Sequence, residues 1–182
     1  PSEGSDRKDI IFAGKLDVWA NILSLQNLIY KVFPAVKKKV QGVKLKIIGA
    51  GDPSIIKNID DPDIEVIGKV PHFKPYLQQA GAFVHPHFGG SGIQNKLLEA
   101  MSCGCPVVTA PPGNQGINGI HEEHIMIGKT NAEIAEHTVR LLKEKNLSEK
   151  ISKNARSLMV ETHSWETVYE QLDSIIREVI DE

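Results

Sequence analysis

Short apolar segments alternate with amphipathic ones along most of the chain, and this alternation limits the folds that the chain can adopt. The segments with the length and composition of buried strands are 10–13, 43–48, 64–67, 82–85, 107–110 and 124–127. Helical patterns separate them. Alternation of this kind predicts an α/β fold, a three-layer sandwich with a mostly parallel sheet of about six strands, whose ligands bind beyond the carboxyl ends of the strands.

The helical segments differ in how clearly their ends are marked. A long helix is predicted over 19–40, with Pro34 kinking or interrupting it. A short helix is expected after Pro53, another near 75–79, and a further one over 92–103. Beyond Thr130 the chain is predicted to be helical over 131–145, 148–162 and 165–180. Asn131 and Ser148 are the predicted N-caps of the first two of these helices, and Trp165 is predicted to anchor the last one.

A glycine-rich loop joins the fourth predicted strand to a helix. It reads Gly89-Gly90-Ser91-Gly92-Ile93-Gln94-Asn95-Lys96 and continues as Leu97-Leu98-Glu99-Ala100-Met101. Glycines let the backbone approach a ligand, and the unpaired N–H groups at a helix start favour an anion. Gly92, Asn95 and Glu99 share one helix face, so the carboxylate lies roughly 10 Å beyond the anion site at about 1.5 Å rise per residue. The arrangement suggests a site for a nucleotide or a nucleotide sugar.

The same stretch resembles the donor-side signature of GT-B glycosyltransferases of the group 1 type. The GIQNK-LLEAM variant is similar to that of bacterial sugar transferases linked to surface polysaccharide synthesis. The resemblance extends from about residue 11 to 169, and it includes 12–17, 47–51, 66–70 and the late Ser164-Trp165. It implies a Rossmann-like domain that binds a nucleoside diphosphate sugar. It also implies transfer with retention of the sugar's anomeric configuration, with no metal and no other cofactor.

Site residues follow from the resemblance at matching positions. It implies nucleotide-sugar contacts from Gly14, Lys15, Gly68, Lys69, Ser91, Gly92, Ile93, Asn95, Lys96 and Glu99. Lys15 would stabilise the leaving diphosphate, and Glu99 would accept hydrogen bonds from the ribose hydroxyls. His87, beside the loop, is a further candidate to approach the donor, and a structural role in the loop is the alternative.

The chain departs from the family pattern at two positions. A second basic residue is expected where Ala20 stands, and Lys96 is a candidate to compensate for it. The family's upstream acid is replaced by Ser91, whose hydroxyl can hydrogen-bond a sugar but cannot act as a carboxylate. The environment of Glu99 is predicted to be apolar, where an unpartnered carboxylate would be costly.

Several other signals are assigned structural roles. Gly49-Ala50-Gly51 predicts a tight strand-to-helix turn rather than a dinucleotide site, and His124 is expected to open a strand. Cys103 and Cys105 lie too close together for an ordinary disulfide, and burial is the predicted role for them. No metal site is predicted from the histidines.

Composition and charge limit the kinds of partner and the location expected for this protein. The 182 residues carry a net charge of −2 with mixed signs, which argues against nucleic-acid binding. No apolar run approaches the roughly 18 residues that a membrane helix needs. A cytoplasmic protein is expected. A further expectation is peripheral attachment to the inner membrane through a missing N-terminal half of the protein.

The domain organisation is predicted from the polar start of the chain. Residues 1–8 resemble a linker, 9–164 form the donor-binding domain, and 165–182 form a helix that packs on this domain or towards a missing N-terminal, acceptor-binding domain. The whole protein is predicted to move a sugar to a hydroxyl acceptor, a glycan or lipid-linked glycan, and the isolated domain to bind donor without transferring it. A non-catalytic scaffold or regulatory relative and half of a nucleotide-sugar epimerase remain alternatives.

Overall fold

The computed structural model describes residues 7–52, 54, 60–89 and 92–180 of the chain. Within them, six parallel strands form one sheet in the order β3-β2-β1-β4-β5-β6. The strands are β1 (Ile10–Ala13), β2 (Leu45–Ile48), β3 (Ile64–Gly68), β4 (Ala82–His85), β5 (Val107–Thr109) and β6 (Met126–Ile127). The predicted α/β fold with a parallel sheet is confirmed.

Helices cover both faces of the sheet. They are α1 (Trp19–Asn27), α2 (Phe33–Lys37), α3 (Lys74–Gln79), α4 (Asn95–Ser102), α5 (Asn131–Lys143), α6 (Lys145–His163) and α7 (Trp165–Ile180). A π-helical turn, Leu28–Val32, joins α1 to α2 ahead of Pro34, so the predicted interruption of this helix is present. The short helix predicted after Pro53 lies outside the described residues.

Strands β1, β4 and β5 are buried along their whole length because helices cover both faces of the sheet there. Ile10 and Phe12 point into a core shared with α1, α2 and α5. Ile11 and Ala13 point into a second core with α3 and α4. Helix α6 contributes to both cores. Alternate residues of one strand therefore belong to different layers, which is the three-layer arrangement that the sequence predicted.

Four local predictions at element ends are wrong. His124 does not open a strand, since its backbone N–H and its Nδ1 both bond to Ile120 in a tight turn before β6. Ser148 lies inside α6, and its N–H already donates to the carbonyl of Glu144 at 3.0 Å. Trp165 does not anchor α7, because 72% of its surface is exposed.

The N-cap of α5 is Thr130 rather than Asn131. The Thr130 hydroxyl accepts a hydrogen bond from the Glu133 N–H at 3.1 Å, and the Glu133 carboxylate reaches back to the N–H of Lys129 at 2.8 Å. We expect Thr130→Ala to lower the free energy of unfolding by about 1 kcal/mol, because one N–H at the start of α5 loses its partner. Urea unfolding checks this. Thr130→Ser keeps the hydroxyl, so equal losses in both variants would contradict the capping role.

The two cysteines are unpaired thiols, Cys105 fully buried and Cys103 partly buried. Burial raises the pKa of Cys105 to about 12 and also raises that of Cys103. The predicted burial is confirmed for Cys105, and Cys103 is buried only in part. Among the described helices, none combines the length and the apolar character needed to cross a bilayer.

Candidate nucleotide-sugar site

The order of the strands creates a crevice at one point of the sheet. From β1 the chain moves outward through β2 and β3, then returns to β4 on the other side of β1. The loops that leave the carboxyl ends of β1 and β4 therefore run in opposite directions. In open α/β sheets this switch point is where ligands bind. The loop after β1 contains Gly14 and Lys15, and the loop after β4 leads to α4.

Close backbone packing builds the β1 side of the crevice. A Cβ atom on Gly49, just after β2, would lie 1.9 Å from the carbonyl oxygen of Gly14. Only glycine therefore fits there. The N–H of Gly14 donates to the carbonyl of Ile48, and the N–H of Gly49 donates to that of Gly68. The segment 49–51 is a tight turn beside β1, as the sequence predicted.

Lys96 is the centre of the polar contacts in the crevice. Its ammonium lies 2.5 Å from Oδ1 of Asn21 and 3.0 Å from Nε2 of His85. Asn21, on α1, also donates its amide N–H to the carbonyl of Lys15 at 3.0 Å. Burial lowers the pKa of Lys96 to about 8. These contacts join the loop after β1, the end of β4 and the first turn of α4.

Two histidines on the β4 side are buried beside Lys96. Their rings lie 5.3 Å apart. Burial first, and then the charge of Lys96, lowers the pKa of both His85 and His87, that of His85 well below its usual value. His87 is only 4% exposed. It is thus a buried residue behind the loop rather than one presented on its surface.

The remaining predicted residues surround this cluster. Asn95 and Glu99 are exposed on one face of α4, while Leu97 and Ala100 are buried. The predicted apolar environment of Glu99 is therefore wrong, because helical periodicity turns its apolar neighbours inward and leaves the carboxylate facing solvent. Gly92 is exposed in the loop before α4, which begins at Asn95, so the predicted shared helix face does not include Gly92.

The other loop ends complete the same edge. Lys15, Lys69 and Ile93 are exposed, and Gly68 has a φ of 78° at the end of β3. Parallel strands end at one edge, so these residues share it with α4. Gly92 has a φ of 89°, which favours glycine where the loop turns into the helix. Ser91 lies outside the described residues.

Sequence reasoning missed His85 and Asn21 as members of this cluster. From the sequence, neither residue is assigned a role in the site. Within the described residues, no three His, Cys, Asp or Glu side chains come together as a metal site needs. One signal was available, because a histidine in an otherwise apolar buried strand needs a polar partner.

The fold and this crevice define an open, doubly wound α/β domain with a candidate ligand site at the switch point of its sheet. The family model described as Glycosyl transferases group 1 matches residues 7–144, and the chain therefore belongs to this family. An uncharacterized glycosyltransferase of Methanocaldococcus jannaschii is 22% identical over 94% of the chain and 45% of its own length. The poly(glycerol-phosphate) alpha-glucosyltransferase of Bacillus subtilis is 30% identical over 78% of the chain and 22% of its own length.

Solved structures show the same fold. The C-terminal domain of a glycosyl transferase group 1 family protein from Francisella tularensis has a TM-score of 0.71 at 16% identity, covering 91% of this chain and 95% of that one. HepE of Anabaena in complex with UDP-glucose has a TM-score of 0.75 at 15% identity, covering 94% of this chain and 49% of its own. The chain spans about half or less of the curated relatives it matches.

Proposed function

We propose that this chain binds the nucleoside diphosphate part of a sugar donor, and that the whole protein transfers the sugar to a hydroxyl acceptor. One observation carries the proposal. At the switch point of the sheet, a half-buried ammonium and the N-terminus of α4 supply positive charge, and the exposed carboxylate of Glu99 follows on the same helix. A diphosphate and a ribose have this order of charge and hydroxyl groups.

The proposal assigns a task to each group. Lys15, Lys96 and the N–H groups of Gly92 and Ile93 would hold the two phosphates and stabilise the charge that develops when the sugar leaves. Glu99 would accept hydrogen bonds from the ribose. Since these groups supply positive charge themselves, we propose transfer without a metal or another cofactor.

The remaining contacts would complete the donor site. Gly68 and Lys69, at the end of β3, would lie against the base. Gly14, Ser91 and Asn95 would line the path between the base and the transferred sugar. His87 would support the loop between β4 and α4 from its buried side.

Uridine is the base we propose, and a hexose the sugar. HepE is described in complex with UDP-glucose, and a pneumococcal O-GlcNAc transferase of the same fold in complex with UDP and GlcNAc. A glycan or lipid-linked glycan is the proposed acceptor, in keeping with the relative from the cps region of Klebsiella pneumoniae, 25% identical over 90% of the chain. We also propose retention of the anomeric configuration, and a cytoplasmic location in keeping with the two unpaired thiols.

The acceptor site is proposed to lie on a second domain of the whole protein. This chain spans 45% of its relatives from M. jannaschii and K. pneumoniae. Helix α7 has no buried residue, and its exposed apolar side chains include Tyr169, Leu172 and Ile176. We propose that α7 packs towards that second domain.

A thermal-shift panel of UDP, GDP, ADP, CMP and dTDP tests the binding. A ligand at 100 times its dissociation constant should add about 2.7 kcal/mol to the free energy of unfolding. We expect a clear rise in Tm with UDP. No shift with any nucleotide would contradict donor binding by this chain and favour a non-catalytic scaffold. Product analysis of the whole protein with UDP-sugars separates transfer from epimerisation.

A further inference from the structure

His85 is held more firmly than its place at the end of a strand requires. Its ring stacks on Phe12, with centroids 5.3 Å apart and an interplanar angle of 6°, and it also lies parallel to the ring of Phe83 at 6.4 Å. The hydroxyl of Thr109 donates to its carbonyl at 2.8 Å. His85 has no exposed surface. These contacts fix the plane of the imidazole and the direction in which Nε2 points.

The partner of Nε2 determines the state of the ring. The ammonium of Lys96 lies 3.0 Å away and can only donate, so Nε2 accepts and the imidazole is neutral with its proton on Nδ1. Burial and the charge of Lys96 lower the pKa of His85, which favours the same neutral state. In the described part of the chain Nδ1 has no partner.

Asn21 holds the ammonium from the other side of the crevice. Its amide N–H donates to the carbonyl of Lys15, which turns Oδ1 towards Lys96. Both partners of the ammonium are therefore neutral acceptors, and among the described residues no carboxylate pairs with it. Neutral acceptors orient a cation without cancelling its charge. One of its three N–H donors remains for a ligand at the positive end of α4.

We propose that His85 is a positioning residue, whose neutral imidazole acts with the Asn21 amide to hold the Lys96 ammonium against the diphosphate of the donor. This inference rests on the proposed function. It makes His85 a member of the donor site that acts through Lys96 and does not touch the nucleotide. The cation that the chain lacks at Ala20 is supplied from α4 and aimed by two side chains on β4 and α1.

Such an arrangement links binding to protonation. The pKa of Lys96 is about 8 without ligand, and a bound diphosphate favours the ammonium. Affinity should therefore be constant near pH 7 and fall as the pH rises above 8. The titratable groups that face Lys96 are His85, at the end of β4, and His87, two residues beyond it, and their lowered pKa values keep both neutral throughout this range. Asn21 of α1 does not titrate, and Lys15 faces the cluster with its carbonyl.

The test is the affinity for UDP from pH 7 to 9.5, measured by calorimetry. For the unsubstituted chain we expect binding about tenfold weaker at pH 9 than at pH 7. His85→Phe keeps a flat ring against Phe12 but removes the acceptor, so its affinity should begin to fall at a lower pH. His85→Gln offers an amide oxygen at similar reach and should keep the original profile. Lys96→Met should abolish the fall with pH.

The outcomes separate this inference from the proposed function. If His85→Phe only lowers Tm and keeps the affinity and pH profile of the unsubstituted chain, His85 is structural and the inference is wrong. If the unsubstituted chain binds no nucleoside diphosphate at any pH, the proposed function fails. In that case the Lys96 titration, followed by NMR without ligand, still decides the pairing. A lower pKa in His85→Phe supports it, and an unchanged pKa overturns it.

Discussion

Replacing Glu99 with alanine is expected to weaken UDP binding about a hundredfold, because a ribose loses two charge-assisted hydrogen bonds worth about 1.5 kcal/mol each. The side chain is exposed, so the substitution removes no core contact and should leave Tm unchanged without ligand. Calorimetry with UDP measures the affinity. Uridine monophosphate keeps the ribose but lacks the second phosphate. Its affinity should fall by a similar factor on Glu99→Ala.

Glu136 provides the matched control. It is an exposed glutamate on α5, which packs against the other face of the sheet. Glu136→Ala removes the same charge from the chain, so any change due to overall electrostatics appears in both variants. Equal affinity of Glu99→Ala and Glu136→Ala for UDP would contradict the assignment of Glu99 to the ribose.

Lys96→Met is expected to change stability and affinity in opposite directions. In the ligand-free chain the ammonium is largely buried, lies at the positive end of α4 and has no carboxylate partner within the described residues. Methionine removes that cost while it fills similar space, and His85 Nε2 and Asn21 Oδ1 lose their donor. Because desolvation is what lowers the pKa of Lys96, we expect relief of the buried charge to outweigh the lost hydrogen bonds, so Tm at pH 7 should rise. Affinity for UDP should fall between about tenfold and a hundredfold, because a cation beside the diphosphate is lost.

The pH dependence of stability tests whether the gain in Lys96→Met comes from removal of the buried ammonium. Burial places the pKa of Lys96 near 8 in the folded chain, below its ordinary value of 10.5. The unfolded chain therefore binds more protons between these two values, and the cost of burying the ammonium is relieved as the pH rises from 8 to 10.5. The stability gained in Lys96→Met should shrink across this window. Lys153→Met, which changes an exposed lysine on α6, should show no such trend. A stability loss confined to Lys96→Met at pH 7 would contradict the argument.

Much of the fold could be predicted because the central strands are buried on both faces. Segments such as 10–13 and 82–84 are continuously apolar, and that pattern requires helices on both sides of a sheet. Element ends were predicted less well. Whether Thr130 or Asn131 caps α5, or whether His124 begins a strand, depends on a single backbone conformation that neighbouring residues in space decide.

The candidate site, too, could be predicted only in part. The loop and α4 form a local unit, so the spacing of Asn95 and Glu99 already placed them on one helix face, and the structure has both exposed there, with Gly92 exposed in the loop before them. The contacts of Lys96 could not be predicted from local spacing. Its two partners come from α1 and β4, 75 and 11 residues away along the chain.

The sequence by itself determined the class of fold, the glycine-rich turn into α4 and the face on which Glu99 lies, because each depends on periodicity over a few residues. Tertiary structure alone decided that Lys96 is half-buried, that it lies against Asn21 and His85, and that α7 has no buried residue. Those features depend on strand order, which brings the loop after β1 beside the loop after β4. Residue spacing along the chain does not encode which strands become neighbours, since burial of the whole sheet selects that order.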